Sequence, residues 1–503
     1  MAAWTRLFTE EELDLLATPL SIRLERAVRA EDQGTIAWII DQMDQECLAI
    51  YDAYCSWLGV LETFIVERAS EQALECALTW VGEYAARPFA RRYQRLGVRG
   101  RALLLAERLR ASGSTFSVQE DGRRVRFTAD PWGPARWWRT PAGFEKQAPR
   151  RREGSRCFYP CYGYHEQPVS FAMLTGKGPL TAGAEELPCG LATEVQFLEV
   201  IPIELFGEPI AALTIAGNAS EAVHLDIYKD PASIPNDLYA RIGMSPPAGG
   251  VRAQSEGRCF TEEELERLST PLSIQVEQAA AAGDSAQLLQ LAASMDRELV
   301  GAKDPTGIAI AGLLSWIAWR FGEQAAEDAL RRTAEVVMAP FVAAVRGLGP
   351  RDSIPLWAMV WRAHGSTYWI EEYEETFVFR GRPLGACHRM SSTAYQPEVA
   401  RISDSRVRYP TFGCFAPPSS FHLMREPRGI TQGKVNYPIY SCHCHMLHEI
   451  YPIDQLGHPL WVENHRLDDP DGEMTHVHYK DPAAWPERCY QQVGRSKPAT
   501  IRG

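Results

Sequence analysis

The sequence contains a long internal repeat, which constrains the fold more than any other feature. Phe8–Leu13 (FTEEEL) returns as Phe260–Leu265, and Thr18–Ile22 (TPLSI) returns as Thr270–Ile274, each 252 positions later in a chain of 503 residues. A near-constant spacing over the whole length predicts a tandem duplication. Further pairs are 250 or 251 positions apart: Leu198–Glu204 with His448–Asp454, and Tyr228–Pro231 with Tyr479–Pro482.

The first part of each copy carries helix signals. Thr9 and Glu12 have the spacing of a capping box, in which a threonine hydroxyl and a glutamate carboxylate cap a helix start reciprocally, and the same pair recurs in the second copy. Thr18-Pro19 and its repeat predict an N-cap followed by proline at the first helical position. Between these signals, apolar residues recur at intervals of three and four, as an amphipathic helix requires.

The second part of each copy carries strand signals. Val125–Thr128 alternates between apolar and polar residues, Thr376–Phe379 is the strand-like segment of the second copy, and glycine and proline punctuate the rest. The predicted fold class is α+β, with two tandem homologous halves that each contain a helical subdomain followed by a small antiparallel-sheet subdomain. The predicted bounds are 1–244 for the first repeat (helical to about residue 111), 245–258 for a linker, and 259–503 for the second repeat (helical to about residue 363).

Composition and charge disfavour several classes of protein. A net charge of −12 disfavours a nucleic-acid or anionic-membrane binder, although basic residues and tryptophans alternate between Arg123 and Arg156. The longest apolar stretch, Ile308–Trp319, is too short to span a membrane. The first residues lack a secretory signal, so the twelve cysteines are expected to be reduced thiols of a cytoplasmic protein without nucleic-acid or membrane partners.

Histidine placement is the strongest chemical signal in the sequence. Residues 387–478 hold nine of the twelve histidines and four of the twelve cysteines. At an offset of 250, Cys442–His445 aligns with Ala192–Val195 of the first copy, which contains neither residue type. One copy therefore carries potential metal ligands where the other carries ordinary residues.

The spacing of these donors favours a transition-metal site in the second copy. If Tyr440–His445 forms a strand, its two cysteines share one face and its two histidines share the other. His476 and His478, also two positions apart, share a face of a later strand. Thiolate and imidazole groups are ligands of zinc, and they also suit iron or copper. The predicted metal ligands are Cys442, Cys444, His476, His478 and His443.

The residues beside these ligands offer groups for proton transfer. His448, Glu449 and His445 are the predicted catalytic residues, which would move protons next to the ion. Glu449 also matches Glu199 of the first copy within a shared Glu-x-x-Pro-Ile-acid frame. Because the first copy lacks the cysteines and histidines, that frame favours a turn that the fold requires.

Together these patterns predict a metal-dependent enzyme that acts on a small molecule. Its ion would activate water or dioxygen, or polarise the substrate, in a pocket between two repeats that pack as a pseudo-dimer. Two alternatives stay open: a non-catalytic metal-sensing or metal-storing protein with a closed ligand shell, and a metal-free hydrolase or lyase with a cysteine nucleophile. A half-buried strand whose cysteines act as small hydrophobic residues needs no metal at all.

The last third of each copy resembles a family of bacterial proteins without an assigned function. In that family a helical part precedes a Cys-x-x-Cys or Cys-His-Cys strand, a Glu-Ile-x-Pro-Ile-Glu segment and a closing Tyr-Lys-Asp-Pro. Here the corresponding segments are Cys442–Cys444, Glu449–Asp454 and Tyr479–Pro482, and the first copy lacks the cysteines. The general layout is also similar to that of aminothiazoline-carboxylate hydrolases, but no catalytic motif is shared, so this likeness implies no site residues.

Overall fold

The computed structural model describes most of the chain, and every structural statement refers to the residues that it describes. These are residues 6–70, 73–74, 76–78, 80–82, 90, 93, 95–130, 168–170, 186–188, 196–215, 223–241, 245–246, 257–383, 390, 421–465 and 473–499. Residues 6–246 are called the first half below, and residues 257–499 are called the second half.

Helices form the beginning of each half. The helices of the first half are α1 Glu10–Ala17, α2 Leu20–Arg29, α3 Gln33–Arg68, α4 Val98–Ala111, α5 Ile201–Phe206 and α6 Asn236–Arg241. The longer helices of the second half are α7 Glu262–Ser269, α8 Leu272–Ala281, α9 Ser285–Phe321, α10 Glu323–Thr333, α11 Ala339–Val345 and α12 Pro350–Ala363. Two short helices near the C-terminus are α13 Tyr451–Leu456 and α14 Glu487–Gln491.

Two four-stranded antiparallel sheets follow the long helices. The first has the order β1-β2-β6-β5, with β1 Thr115–Glu120, β2 Arg124–Asp130, β5 Ala212–Ile215 and β6 Val223–Tyr228. The second has the order β11-β12-β8-β7, with β7 Ser366–Glu372, β8 Thr376–Pro383, β11 Val462–His465 and β12 Met474–Tyr479. Two smaller sheets pair β3 Pro168–Ser170 with β4 Glu186–Pro188, and β9 Leu423–Met424 with β10 Tyr437–Pro438. The predicted α+β class with small antiparallel sheets is confirmed.

The capping boxes predicted from the sequence are both present. Thr9 accepts a hydrogen bond from the backbone N–H of Glu12, whose carboxylate accepts from the N–H of Thr9 in return, and Thr261 forms the same box. The start predicted for the second helix is wrong by one residue. Pro19 is its N-cap, whereas Thr18 ends α1 and donates its hydroxyl to the carbonyl of Asp14 at 2.7 Å.

Removal of either capping threonine is expected to destabilise the protein modestly. Thr261→Ala deprives the backbone N–H of Glu264 of its acceptor, which should lower the free energy of unfolding by about 1 kcal/mol. Thr9→Ala should cost a similar amount because its box is built in the same way. Urea unfolding measures both effects, with the exposed mid-helix change Gln278→Ala as the control, and an unchanged midpoint in the cap variants would contradict the expectation.

The first helix of each half packs on the sheet of the other half. Helix α1 contacts β7, and α7 contacts β1. The carboxylate of Glu372, on β7, accepts the backbone N–H groups of Leu7 at 2.7 Å and Phe8 at 3.0 Å, and it pairs with Lys480 at 2.7 Å. Each sheet is therefore covered in part by a helix from the other half.

The reciprocal contact repeats the same chemistry. Glu120, on β1, accepts the N–H groups of Cys259 at 2.5 Å and Phe260 at 2.9 Å, and it pairs with Lys229 at 2.6 Å. Each of these residues lies 251 or 252 positions from its counterpart in the Glu372 cluster.

Buried ion pairs and one apolar cluster join the halves further. Arg362 pairs with Glu46 at 2.5 Å across the halves, and Arg110 pairs with Glu298 in the matching position. Helices α2 and α3 meet α8 and α9 in a separate apolar cluster, in which Leu24, Ile39 and Val276 are fully buried. Contacts between the halves are thus a large part of the core.

Two further findings concern the membrane and the thiols. Within the described residues, no helix combines the length and the apolar character that crossing a bilayer demands. Cys259, Cys442, Cys444 and Cys489 are free thiols, whereas Cys76 is disulfide-bonded. The expectation of reduced cysteines is therefore wrong for Cys76, because sequence spacing does not reveal which cysteines meet in space.

Candidate metal centre

The Cys-His-Cys segment is helical, so the predicted strand over Tyr440–His445 is wrong. A 3₁₀ turn at Ile439–Ser441 continues into an α turn at Cys442–Cys444 and a π-helical turn at His445–Ile450, which leads into α13. We call residues 439–450 the site helix. Short runs of mixed residues have no periodicity that separates helix from strand. A helix places residues four apart on one face, which regroups the donors.

Three residues bring potential metal-binding atoms together. The Sγ of Cys444, a ring nitrogen of His448 and a carboxylate oxygen of Glu463 all lie within 4.8 Å of one another. Cys444 and His448 are four residues apart on the site helix, and Glu463 lies on β11. Cys444 and Glu463 are buried, whereas His448 is half-buried. We call these three residues the donor group.

Strand register places an imidazole beside the donor group. Glu463 on β11 is the direct cross-strand partner of His476 on β12, and His476 Nε2 lies 3.4 Å from Glu463 Oε2. In the first sheet the matching cross-strand pair is Leu213 with Leu225. Both of those leucines are fully buried. The second half therefore holds a buried carboxylate and imidazole where the first half holds two aliphatic side chains.

His443 has a ring orientation typical of a metal-binding histidine. Its Nδ1 donates to the backbone carbonyl of Tyr440, because a carbonyl can only accept. In a neutral ring the proton is then on Nδ1, and the lone pair is on Nε2. That Nε2 lies 3.4 Å from the Sγ of Cys444. Two ligands of one tetrahedral ion are separated by roughly 3.5 Å, given bond lengths of about 2.0–2.3 Å.

Aromatic rings enclose the donor group. Trp461 packs on His448 with ring centroids 4.0 Å apart and stacks on His476 at 5.1 Å, while Trp57 lies 4.9 Å from His443. Burial, and next the neighbouring imidazole of His443, hold the pKa of His448 well below its ordinary value. The ring is therefore neutral at neutral pH, as a metal ligand must be.

Four of the five predicted ligands lie outside the donor group: His443 and His476 border it, whereas Cys442 and His478 make other contacts. Cys442 is fully buried, its Sγ lies 3.7 Å from the carbonyl oxygen of Pro438, and burial raises its pKa well above the ordinary value. Its thiol therefore stays protonated. His478 shares a face of β12 with His476, as predicted, but its ring packs against Trp357 and Phe379. Burial lowers the pKa of His478 well below the ordinary value, so this ring is also neutral.

His445 and Glu449, two of the predicted catalytic residues, belong to a separate hydrogen-bonded chain. The hydroxyl of Tyr437 lies 2.6 Å from Nε2 of His445, whose Nδ1 lies 2.8 Å from Glu449 Oε1. Glu449 also accepts the backbone N–H of Glu463 at 3.4 Å. In the first half, Glu199 accepts the N–H of Leu213 in the same way. Glu449 is thus part of a structural frame that both halves share, and it holds β11 against the site helix.

Sequence reasoning missed Glu463 and Trp361, and the comparison of the two halves would have found both. At an offset of 250, Glu463 aligns with the core residue Leu213, and at 252 Trp361 aligns with Leu109. A buried charge in place of a leucine is a strong functional signal because it is costly unless it is paired. Of the four cysteines between residues 387 and 478, Cys387 and Cys414 lie outside the described residues.

Comparisons with known proteins return no match to any family model, curated protein or solved structure.

Proposed function

We propose that the protein is a metal-dependent enzyme that acts on a small molecule, with a zinc ion held by Cys444, His448 and Glu463. Sulfur, nitrogen and oxygen donors of this kind are all zinc ligands, and iron is the closest alternative. Three protein ligands leave one position for water or substrate, which is the arrangement of catalytic zinc sites. Zinc in such a site supplies Lewis acidity and lowers the pKa of bound water.

The convergence of the three donor atoms is the observation that carries this proposal. A carboxylate, an imidazole and a thiol lie within 4.8 Å of one another, and two of the three residues are buried. Clusters of exposed acidic residues are common without an ion, but this group is of a different kind. Burial of an ionised carboxylate costs several kcal/mol unless a partner compensates it. A divalent cation would be such a partner for Glu463, which aligns with Leu213 as His448 aligns with Leu198.

Whether His443 binds the ion determines whether the metal site is open or closed. Its Nε2 lone pair borders the donor group through the 3.4 Å contact with Cys444 Sγ. In the enzyme it accepts a proton from water or substrate beside the ion. As a fourth ligand it would close the shell instead, and the protein would be a metal sensor or store. Addition of azide to the cobalt-substituted protein separates the two, because only an open site changes its visible spectrum.

The two halves, we further propose, arose by tandem duplication and pack as a pseudo-dimer. The matched Glu120 and Glu372 clusters and the matched Arg110 and Arg362 ion pairs support this arrangement. The first half then serves as a scaffold. Leucines stand at its positions that match two of the three donors: Leu213 on β5 matches Glu463, and Leu198 matches His448.

Metal content tests the proposed function. The purified protein without a histidine tag should contain about one zinc ion per chain by mass spectrometry. Cys444→Ser, His448→Ala and Glu463→Gln should each weaken zinc binding by more than about 100-fold, since even the loss of an outer hydrogen-bond partner costs 10–100-fold. Cys442→Ser is the matched control, because that thiol is buried two residues away but outside the donor group. Equal zinc content in all four variants would rule the site out.

A metal-free cysteine hydrolase is the second candidate, because Cys444 Sγ also lies 3.4 Å from a histidine nitrogen. Its thiolate would attack the substrate and the imidazole would take up the thiol proton. In that case chelator-treated protein would stay active and iodoacetamide would modify Cys444 fastest. For the zinc enzyme, bound zinc should protect Cys444 from alkylation, and chelator should remove the protection.

A further inference from the structure

We infer that His476 is a positioning residue that holds a proton-bearing Nε2 beside Glu463, at 3.4 Å from Oε2, and that it does not bind the ion. This inference rests on the proposed metal site and assigns a different role from the one that the sequence predicts for His476. It follows from the hydrogen bond on the far side of the ring.

Trp361 fixes the tautomer of His476. The indole Nε1–H of Trp361 lies 2.9 Å from His476 Nδ1 in a buried hydrogen bond. An indole nitrogen can only donate, so Nδ1 must accept and carries no proton. In a neutral ring the proton is therefore on Nε2. A nitrogen that carries a proton has no lone pair to offer a metal ion.

The protonated nitrogen of His476 is next to a proposed ligand. His476 Nε2 lies 3.4 Å from Oε2 of Glu463, and the two residues are cross-strand partners on β11 and β12. Directly opposed residues of an antiparallel pair keep their side chains together on one face of the sheet. The imidazole ring is held in place because it packs between the rings of Trp361 and Trp461, whose centroids lie 4.7 and 5.1 Å from its own.

His443 provides the contrast within the same site. There a backbone carbonyl holds the proton on Nδ1, so that the lone pair is on Nε2, whereas at His476 an indole N–H leaves the proton on Nε2. Metal-binding carboxylates are themselves hydrogen-bonded by groups that orient them. With one oxygen of Glu463 turned to the ion, His476 would hold the other oxygen and select the carboxylate rotamer.

Nitrogen NMR of the metal-free protein tests the tautomer directly. In protein with ¹⁵N-labelled histidine, the His476 signals, identified by their loss in His476→Gln, should show an unprotonated Nδ1 and a protonated Nε2. Trp361→Phe removes the indole donor and should shift the ring toward a mixture of tautomers. A His476 ring protonated only on Nδ1 in the unaltered protein would overturn the inference without any reference to metal.

Cobalt binding tests the role. His476→Gln keeps an N–H near the position of Nε2 and should bind Co²⁺ within about threefold of the unaltered protein, while His476→Leu should bind about 10–100-fold more weakly. At saturating cobalt both variants should keep the visible spectrum of the unaltered protein, because the ligands are unchanged. A changed spectrum in both variants would make His476 a ligand and overturn the inference. Failure of the unaltered protein to bind Co²⁺ would instead remove the metal site itself.

Discussion

Neither half of the chain is expected to be a stable folded monomer when it is produced alone. Residues 1–246 lack α7, which packs on β1, and residues 257–503 lack α1, which packs on β7. The burial of Phe8 and Leu13 beside the second sheet contributes about 1.5–3 kcal/mol for each side chain. Separation also breaks the Arg362–Glu46 and Arg110–Glu298 pairs, and a domain has only about 5–15 kcal/mol of stability to lose.

Each separated half still has a first helix (α1 or α7) and a four-stranded sheet on which the first helix of another copy could pack. It should therefore pair with a second copy of itself, and the two halves mixed together should form a one-to-one complex. Analytical ultracentrifugation measures the association, and thermal unfolding followed by circular dichroism measures the folding. The complex of both halves is the positive control. If either half folded cooperatively as a monomer, the packing of α1 on β7 and of α7 on β1 would not be required for folding, and the prediction would be wrong.

Glu372→Ala is expected to cost about 3–5 kcal/mol, which is the usual effect of breaking a buried ion pair from one side. Glu372 is only 4% exposed, and its carboxylate satisfies two backbone N–H groups as well as Lys480. Glu120→Ala should cost a similar amount, because Glu120 makes the same three contacts in the other sheet. Glu374→Ala, an exposed change in the turn after β7, serves as the control.

The effect of Glu372→Ala should also depend on pH. Burial raises the pKa of Glu372, but hydrogen bonds from Leu7 and Lys480 outweigh burial and lower it below the ordinary value. A lowered folded-state pKa gives stability that is present above the unfolded pKa of about 4.5 and is lost as the pH falls through the folded value. Urea unfolding should thus show a large difference between the two proteins at pH 7 and a smaller one near pH 3. A difference that grows in acid would contradict the assigned contacts.

The sequence placed its candidate site in the half that holds the donor group, but it named a different set of donors. Cys444 and His448 were both named, yet with different roles, because a strand over residues 440–445 separates them and a helix aligns them. The strand predicted for His476 and His478 is present, and alternate residues of β12 are buried. Glu463 carried no local signal, because its importance comes from its cross-strand partner and from the site helix packed above it.

The sequence by itself determined the features that neighbouring residues encode: the helix caps at Thr9 and Thr261, the α+β class, and the concentration of histidines in one half. Only the tertiary structure decided which donors meet, which nitrogen of a neutral His443 or His476 carries the proton, and which sheet each first helix covers. The segments Phe8–Leu13 and Phe260–Leu265, which lead into α1 and α7, have the same six residues, so no local pattern can distinguish which sheet each helix covers. The proton positions depend on Tyr440 and Trp361, whose contacts with the histidines depend on the folding of separate elements into one buried site.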